Sequence, residues 1–398
     1  MNVTEEFSHI FGSEGSLHYF FAPGRVNLIG EHIDYNGGHV FPCALDVGTY
    51  AVARIRSDRK IRMYSINFRS KGIVEAALDA LEYDEQQGWA NYPIGIAHML
   101  QKETLLPFGV DVLYYGNIPN GAGLSSSASI ELVTAVLFND LFGLHKDKLQ
   151  LVQLSQQVEN DFIGVKCGIM DQFAVGFGKR DHAVLLDCQT LSYEYYPINL
   201  VSTSIVIANT NKKRELADSA YNARRATCER ALKKLQAYVT VDALAHITPA
   251  DFVPLEDVLT LEEVKRVRHV VTEEYRTKQA AEALKQGDLV HFGALMKQSH
   301  LSLKNDYEVT GLELDTLVEA AWQHEACIGA RMTGAGFGGC TVNIVKDEGI
   351  EAFKEQVSVE YEKIVGYAPS FYTFSVGEGA SSISEQQCRQ EVSTCTLV

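Results

Sequence analysis

The sequence predicts an α+β protein built from two domains. Its 398 residues exceed what one hydrophobic core comfortably holds. The later part of the chain reads strand, helix, strand, strand, helix, strand, a split-βαβ order with extra helices inserted after the first. Three glycine-rich segments, at 24–38, 119–129 and 334–339, punctuate these regular patterns.

Residues 17–22 read as a strand that ends at Pro23-Gly24. The segment after it carries Arg25, Glu31, His32 and Asp34 between glycines. Such a density of titratable groups beside a strand is site material, the plainer alternative being a polar turn with a surface ion pair. Strands are expected at 49–56, 60–66 and 72–77, with Ser65 at the end of the second, and a helix at 89–103. From Phe108 to Tyr115 the pattern alternates, Val110, Val112 and Tyr114 sharing a face. This strand delivers the chain into Pro119-Asn120-Gly121-Ala122-Gly123-Leu124-Ser125-Ser126-Ser127-Ala128-Ser129.

An apolar run at helical spacing, Ile130 to Phe142, follows that turn and stops at Gly143, a fitting C′ glycine. A glycine turn feeding a helix N-terminus is an anion site, because unpaired amides and the positive end of the dipole point at one place. Serine hydroxyls add donors and possible metal ligands. Polyphosphate suits such a site; a loop with a simple Ser N-cap is the alternative. A second helix is expected from Asp147 to Phe162, with Leu151, Leu154, Val158 and Phe162 inward and Glu159 beside that face. A solvated surface carboxylate is the commoner fate of such a Glu. Asp171 follows the loop 164–170, where N-capping is the simple role for a lone Asp. A hairpin at 182–187 and 192–197 closes the first domain, taken as 1–200.

The second domain, 201–380, opens with a strand at 204–209 and a charged helix from about 212 to 238 that includes Tyr221. Helices at 261–285 and 288–303 are the inserted ones, with a loop at Gly287. Helix 313–324, strands 327–332 and 340–345, helix 349–365 and strand 371–376 complete a ferredoxin-like order. The Ser/Gln-rich end, 381–398, is expected to be a flexible tail.

Composition narrows the functions further. Hydrophobic residues make up 46% of the chain and charged ones 22%, as in ordinary globular proteins. A net charge of −16 argues against nonspecific nucleic-acid binding and against an anionic membrane surface. A phosphate site in such a chain needs local positive charge from metal, Arg and helix N-termini. The eight cysteines are scattered without zinc spacing, which favours reduced thiols in the cytoplasm. Residues 1–20 carry no signal-peptide pattern, and no stretch approaches the roughly 18 apolar residues of a membrane span. Gly334, Gly336 and Gly339 match G-x-G-x-x-G, yet Cys340–Val345 after them reads as a strand, so the dinucleotide fingerprint fails on context. The P-loop motif and the protein-kinase His-Arg-Asp and Asp-Phe-Gly tripeptides are absent.

Gly24 to Gly38, Pro119 to Ser129 and Met332 to Cys340 resemble the three signature motifs of the GHMP small-molecule kinases. The first, with Gly-Arg-Val-Asn-Leu-Ile-Gly-Glu-His and Asp-Tyr-Asn-Gly-Gly, is specifically similar to the galactokinase family. The resemblance runs from about residue 5 to 378. It implies the two-domain GHMP kinase fold: an N-terminal domain like ribosomal protein S5 domain 2, a C-terminal ferredoxin-like domain, and the site in the cleft between them. It implies transfer of phosphate from ATP to galactose, the first committed step of galactose use, by a cytoplasmic and monomeric enzyme. Carried over onto this chain, Gly121, Ala122, Gly123, Leu124, Ser125, Ser126 and Ser127 wrap the ATP phosphates, and Ser65 lies near the nucleotide. Ser127 and Glu159 hold Mg²⁺. Asp171 is the base for the anomeric hydroxyl and contacts the sugar, with Arg25 as charge stabiliser. Glu31, His32, Ile33, Asp34 and Tyr221 contact the sugar as well. Galactokinases usually carry Thr where this chain has Ile33; with its neighbours intact, a modest effect is expected. Two alternatives stay open: a galactose- and ATP-binding sensor without catalysis, and a GHMP kinase for another sugar such as N-acetylgalactosamine. Sensors of this kind lack two residues of the serine motif, which is complete here.

Overall fold

Alternate residues of the strand β1 (His18–Asn27) feed different cores. Tyr19 and Phe21 join one cluster, whereas Phe20 and Ala22 join another. The same split recurs in β3 (Pro42–Ile55) and β6 (Val110–Gly116), as expected for a sheet covered on both faces. The molecule is a computed structural model that describes residues 2–119, 121–212 and 217–394. Asn120 of the serine turn, the first residues of the 212–238 helix after Lys212, and the last four residues with Cys395 lie outside the described residues.

On one face of the sheet α1 (Val3–Phe11), capped by the Asn2 side chain, places Val3, Phe7 and Phe11 at i, i+4, i+8. The sheet also contains β4 (Lys60–Ser65) and β5 (Val74–Ala77). Its other face is covered by α2 (Asn91–Glu103), α3 (Ser126–Leu141), α4 (Lys148–Gln157) and α5 (Met170–Phe177). A small antiparallel sheet of β2 (His39–Val40), β7 (His182–Asp187) and β8 (Tyr193–Pro197) includes the expected hairpin.

Strand β1 does not end at Pro23-Gly24. It runs on to Asn27 through a register shift against β3 between Pro23 and Arg25. Proline has no N–H to give the ladder, and a bulge accommodates that loss. A Cβ on Gly24 would lie 2.8 Å from the Leu124 carbonyl, so only glycine allows the serine turn to approach this strand. The Arg25 amide then donates to Leu124 O at 3.1 Å.

The later part contains β9 (Thr203–Asn209), α6 (Ala217–Leu235), the short α7 (Pro249–Phe252), α8 (Leu261–Lys285) and α9 (Leu289–Ser302). A Thr260–Glu263 capping box starts α8. Then follow α10 (Gly311–Trp322), β10 (Cys327–Thr333), β11 (Cys340–Lys346), α11 (Ile350–Val365) and β12 (Ser370–Phe374). The antiparallel order β10-β11-β9-β12 is that of a ferredoxin-like sheet. Residues 334–339 join two strands, so the dinucleotide reading is excluded.

The expected flexible tail is a correction. Ser381–Ile383 (β13) pairs antiparallel with β1, and Glu385–Thr394 (α12) seats Cys388 and Val392 in the core beside α1. Two apolar side chains at i, i+4 and a strand edge suffice, despite the polar composition around them. The segment leading there is stitched to the first sheet and to α5. Asp46 N donates to Ser375 O, Gly377 N to Ala44 O, Gly379 N to Gly178 O and Ala380 N to Val175 O, all at 2.9–3.0 Å. No helix among the described residues is long and apolar enough to cross a membrane. The described cysteines are all free thiols.

Candidate active site

The bulge in β1 aims Arg25 at the N-terminus of α5. Its Nε donates to Asp171 Oδ1 and its Nη2 to Asp171 Oδ2, both at 2.8 Å, while Nη1 donates to Gly123 O at 2.9 Å. Arg25 is only 3% exposed, while the Asp171 side chain keeps 31% of its surface open on the cleft side, so the arginine end of this bidentate pair is shielded and the carboxylate end is not. Asp171 is therefore no N-cap: α5 begins without a side-chain cap, and the Asp171 carboxylate faces the arginine fork.

Ser125 supplies a third contact, its Oγ donating to Asp171 Oδ2 at 2.6 Å. Gly121 and Gly123 adopt φ of 71° and 70°, and Ser125 follows in the left-handed region at φ 60°, which a side chain rarely adopts. Ser125 precedes α3 but makes no side-chain capping bond, so the plain N-cap alternative fails. With its hydroxyl turned to Asp171, the first amides of α3 are left for an anion. Ser129 docks the same helix on the sheet through Ala22 O and Thr49 Oγ1. Ala122 and Leu124 turn their side chains into the core, leaving only their backbone to the turn.

Arg25, Gly121, Gly123, Ser125 and Asp171 line one cleft of about 340 Å³, together with Glu31, His32, Asp34, Ser126, Ser127, Glu159, Tyr221 and Ala335. The three glycine segments thus converge. Glu31 is 1% exposed and ties the first segment to the third: it accepts from Asn27 Nδ2 at 2.9 Å, Thr333 Oγ1 at 3.0 Å and Gly334 N at 2.7 Å, and pairs with buried Arg331. Burial, and next the Asp171 charge, push the Asp34 carboxyl up to about 7. Burial pushes the Tyr221 phenol well above its usual range; its ring packs against His32 and Tyr35 at centroid distances of 5.5 and 5.3 Å. Ile33 is a correction. It is fully buried in the main core and does not line the cleft, so the usual Thr hydroxyl would point into packing rather than at a ligand.

Glu159 is also not the solvated carboxylate its helix position suggested. Beyond α4 the chain widens into a π-helical turn, Val158–Ile163, and Glu159 is 6% exposed on the cleft wall. Ser127 and Glu159 offer one hydroxyl and one carboxylate to the same space, hard oxygen donors that fit Mg²⁺. No group of three or more His, Cys, Asp or Glu among the described residues could hold a metal. One turn beyond Ser127, Glu131 is fully buried. Burial, then the Glu159 charge, push its carboxyl well above the usual range. Both Glu131 carboxyl oxygens and Gln172 Oε1 are buried without a hydrogen-bond partner, so burial without compensation keeps this carboxyl uncharged.

Ser65 borders a second cavity of about 180 Å³ that shares Tyr92, Ile118, Ser126 and Ser127 with the cleft. Its apolar walls include Phe68 and Trp89, stacked 15° apart, and the Trp89 indole N–H is buried without a partner. Sequence reasoning missed Trp89, Phe68, Tyr92, Glu131 and Arg331. Each lies in a regular or unpatterned stretch, and only the scarcity of Trp, two in the chain, marked any of them.

Family models match in three places: the galactokinase galactose-binding signature at residues 5–55, the GHMP kinases N terminal domain at 91–179 and the GHMP kinases C terminal at 280–363. A galactokinase of Fusobacterium nucleatum is 54% identical over 385 residues, covering 96% of this chain and 99% of that one. A galactokinase of Bacillus subtilis is 52% identical over 379 residues, covering 95% and 97%. The crystal structure of Lactococcus lactis galactokinase complexed with galactose matches with a TM-score of 0.94 at 47% identity, covering 96% and 99%. Methanococcus jannaschii mevalonate kinase shares the fold, with a TM-score of 0.66 at 17% identity, covering 92% and 100%.

Proposed function

The chain belongs to the galactokinase family of the GHMP kinases, and from that premise we infer that it transfers the γ-phosphate of ATP to the anomeric hydroxyl of D-galactose. Galactose 1-phosphate and ADP are the products. The observation that carries this reading is the Arg25–Asp171–Ser125 cluster at the mouth of the α3 N-terminus. There a sugar-sized pocket meets an anion site.

The sugar lies beside Asp34 and Tyr221 with its anomeric hydroxyl at Asp171. Asp171 orients that hydroxyl and accepts its proton as the new O–P bond forms and the bond to ADP breaks. Arg25 holds the Asp171 carboxylate in place and places positive charge beside the transferring group. The amides of the 121–127 turn cradle the phosphates, and the base occupies the cavity of Ser65, Phe68 and Trp89. Ser127 and Glu159 would hold Mg²⁺, which when bound neutralises charge on the phosphates. Sugar specificity follows because a site built for one epimer leaves buried polar groups unpaired with another. The complete Ser125–Ser129 run supports an enzyme over a sensor.

We place the division between the domains near residue 200, with 381–394 belonging to the first, and read the protein as a cytoplasmic monomer. A coupled ADP-release assay over galactose, glucose, N-acetylgalactosamine and arabinose tests the function. Turnover confined to galactose is expected; preferred turnover of N-acetylgalactosamine, or none with any sugar, would reject it.

A further inference from the structure

His32 is held in a left-handed conformation at φ 62°, and both its ring nitrogens are engaged. Nε2 lies 3.1 Å from the Ala335 carbonyl, and Nδ1 lies 2.8 Å from the Tyr35 hydroxyl. A carbonyl only accepts, so Nε2 carries the proton. Burial, chiefly, lowers the His32 pKa to about 4, so the ring is neutral at physiological pH and Nδ1 is an acceptor. The Tyr35 hydroxyl must then donate to Nδ1. Its single proton spent, it accepts from Tyr307, whose hydroxyl is 2.8 Å away. Tyr307 in turn accepts from the Cys228 thiol at 3.2 Å. Every donor in this chain has one acceptor, and the direction is fixed by the carbonyl at its end.

We propose that Tyr35 and Tyr307 are positioning residues for the sugar site: their hydroxyls fix His32 as the Nε2–H tautomer and pin its ring between the cleft and the third glycine segment. Tyr307 is fully buried, its ring lying between those of His32 and His269 at 4.9 and 4.6 Å. His269 makes a parallel link, its Nε2 donating to the Glu31 carbonyl at 3.0 Å. Because both His32 nitrogens are spent on the protein, His32 offers the sugar a rigid ring wall and no polar contact. Direct recognition falls to neighbours such as Asp34. The inference rests on the placement of galactose beside Asp34 and Tyr221.

The test uses Tyr35→Phe and Tyr307→Phe, which keep both rings and hence the packing, with ¹⁵N-histidine NMR and steady-state kinetics on the full chain. In the wild type, His32 is expected to show a protonated Nε2 and a hydrogen-bonded Nδ1. In Tyr35→Phe the Nδ1 resonance moves toward that of a free unprotonated nitrogen, with a smaller move in Tyr307→Phe. The KM for galactose rises about 10-fold in Tyr35→Phe, in keeping with one buried hydrogen bond lost, while kcat and the KM for ATP stay within about 2-fold. A proton on Nδ1 in the wild type, unmoved resonances in the variants, or an unchanged galactose KM each overturns the proposal. Asp34→Asn separates its failure from that of the sugar placement. If Asp34→Asn raises the galactose KM and Tyr35→Phe does not, only the relay falls; if neither does, the sugar placement falls and takes the relay with it.

Discussion

Arg25 and Asp171, 146 residues apart in the chain, meet as a two-pronged pair with both N–H···O distances at 2.8 Å. A planar guanidinium matches a carboxylate in this way, whereas a lysine ammonium makes a single contact. Arg25→Lys is therefore expected to lower kcat by about 10²–10³-fold with a far smaller change in the KM for ATP. Steady-state kinetics decide it, and near-wild-type kcat in this variant would remove the fork from the mechanism.

Ser125 separates strain from chemistry. Ser125→Ala and Ser125→Gly both delete the hydroxyl on Asp171, so both should lose kcat to a similar degree, about 10-fold. They should differ in stability, because only glycine occupies φ 60° without cost; the glycine variant should be the more stable by about 1 kcal/mol. Urea midpoints and kcat measured together test this, and an equal stability for the two variants would count against strain at this residue.

Asp34 makes the ligand-free protein sensitive to pH. Its folded pKa, about 7, exceeds the roughly 3.9 of an unfolded Asp. The folded state thus binds more protons between these values, and stability falls as pH rises from about 4 to about 7. Asp34→Asn removes that fall. Its melting temperature should exceed the wild type's by about 3 °C at pH 8 and converge with it near pH 4, while galactose binding weakens. A difference independent of pH would sink this account.

Glu131 is predicted to tolerate Gln but not Ala. In Glu131→Gln the side chain keeps its volume and stays uncharged, and the change should cost within about 1 kcal/mol. Glu131→Ala leaves a cavity and should cost about 2–4 kcal/mol. Chemical denaturation checks both; an Ala variant as stable as the Gln variant would contradict a well-packed, uncharged side chain at this position.

Much of this architecture was legible in residue patterns. The Gly-Ser turn, the split-βαβ order and the strand after Gly339 follow from local chemistry that tertiary packing reinforces. Glu159 reached the site through the family resemblance and not through its own helix pattern, because its burial depends on a π-helical widening that no periodicity announces. Ile33 misled because a motif neighbour of Asp34 need not share its direction; its side chain points into the core. The strand through Pro23-Gly24 misled because these residues usually punctuate, and only the approach of Leu124 shows why they bulge instead. The Trp89 cavity had no motif at all, since an apolar wall is assembled from distant segments.

The return of residues 381–394 to the first sheet bears on biosynthesis. Until the ribosome has made the whole ferredoxin-like portion, β1 has no neighbour on its outer edge, and the hollow that receives Cys388 and Val392 stays unfilled. An open apolar edge of this kind invites wrong strand partners. The nascent N-terminal part is therefore expected to stay open to chaperones and proteases until residues 381–392 have emerged from the ribosome, and stalling before that point should leave it vulnerable however long it waits.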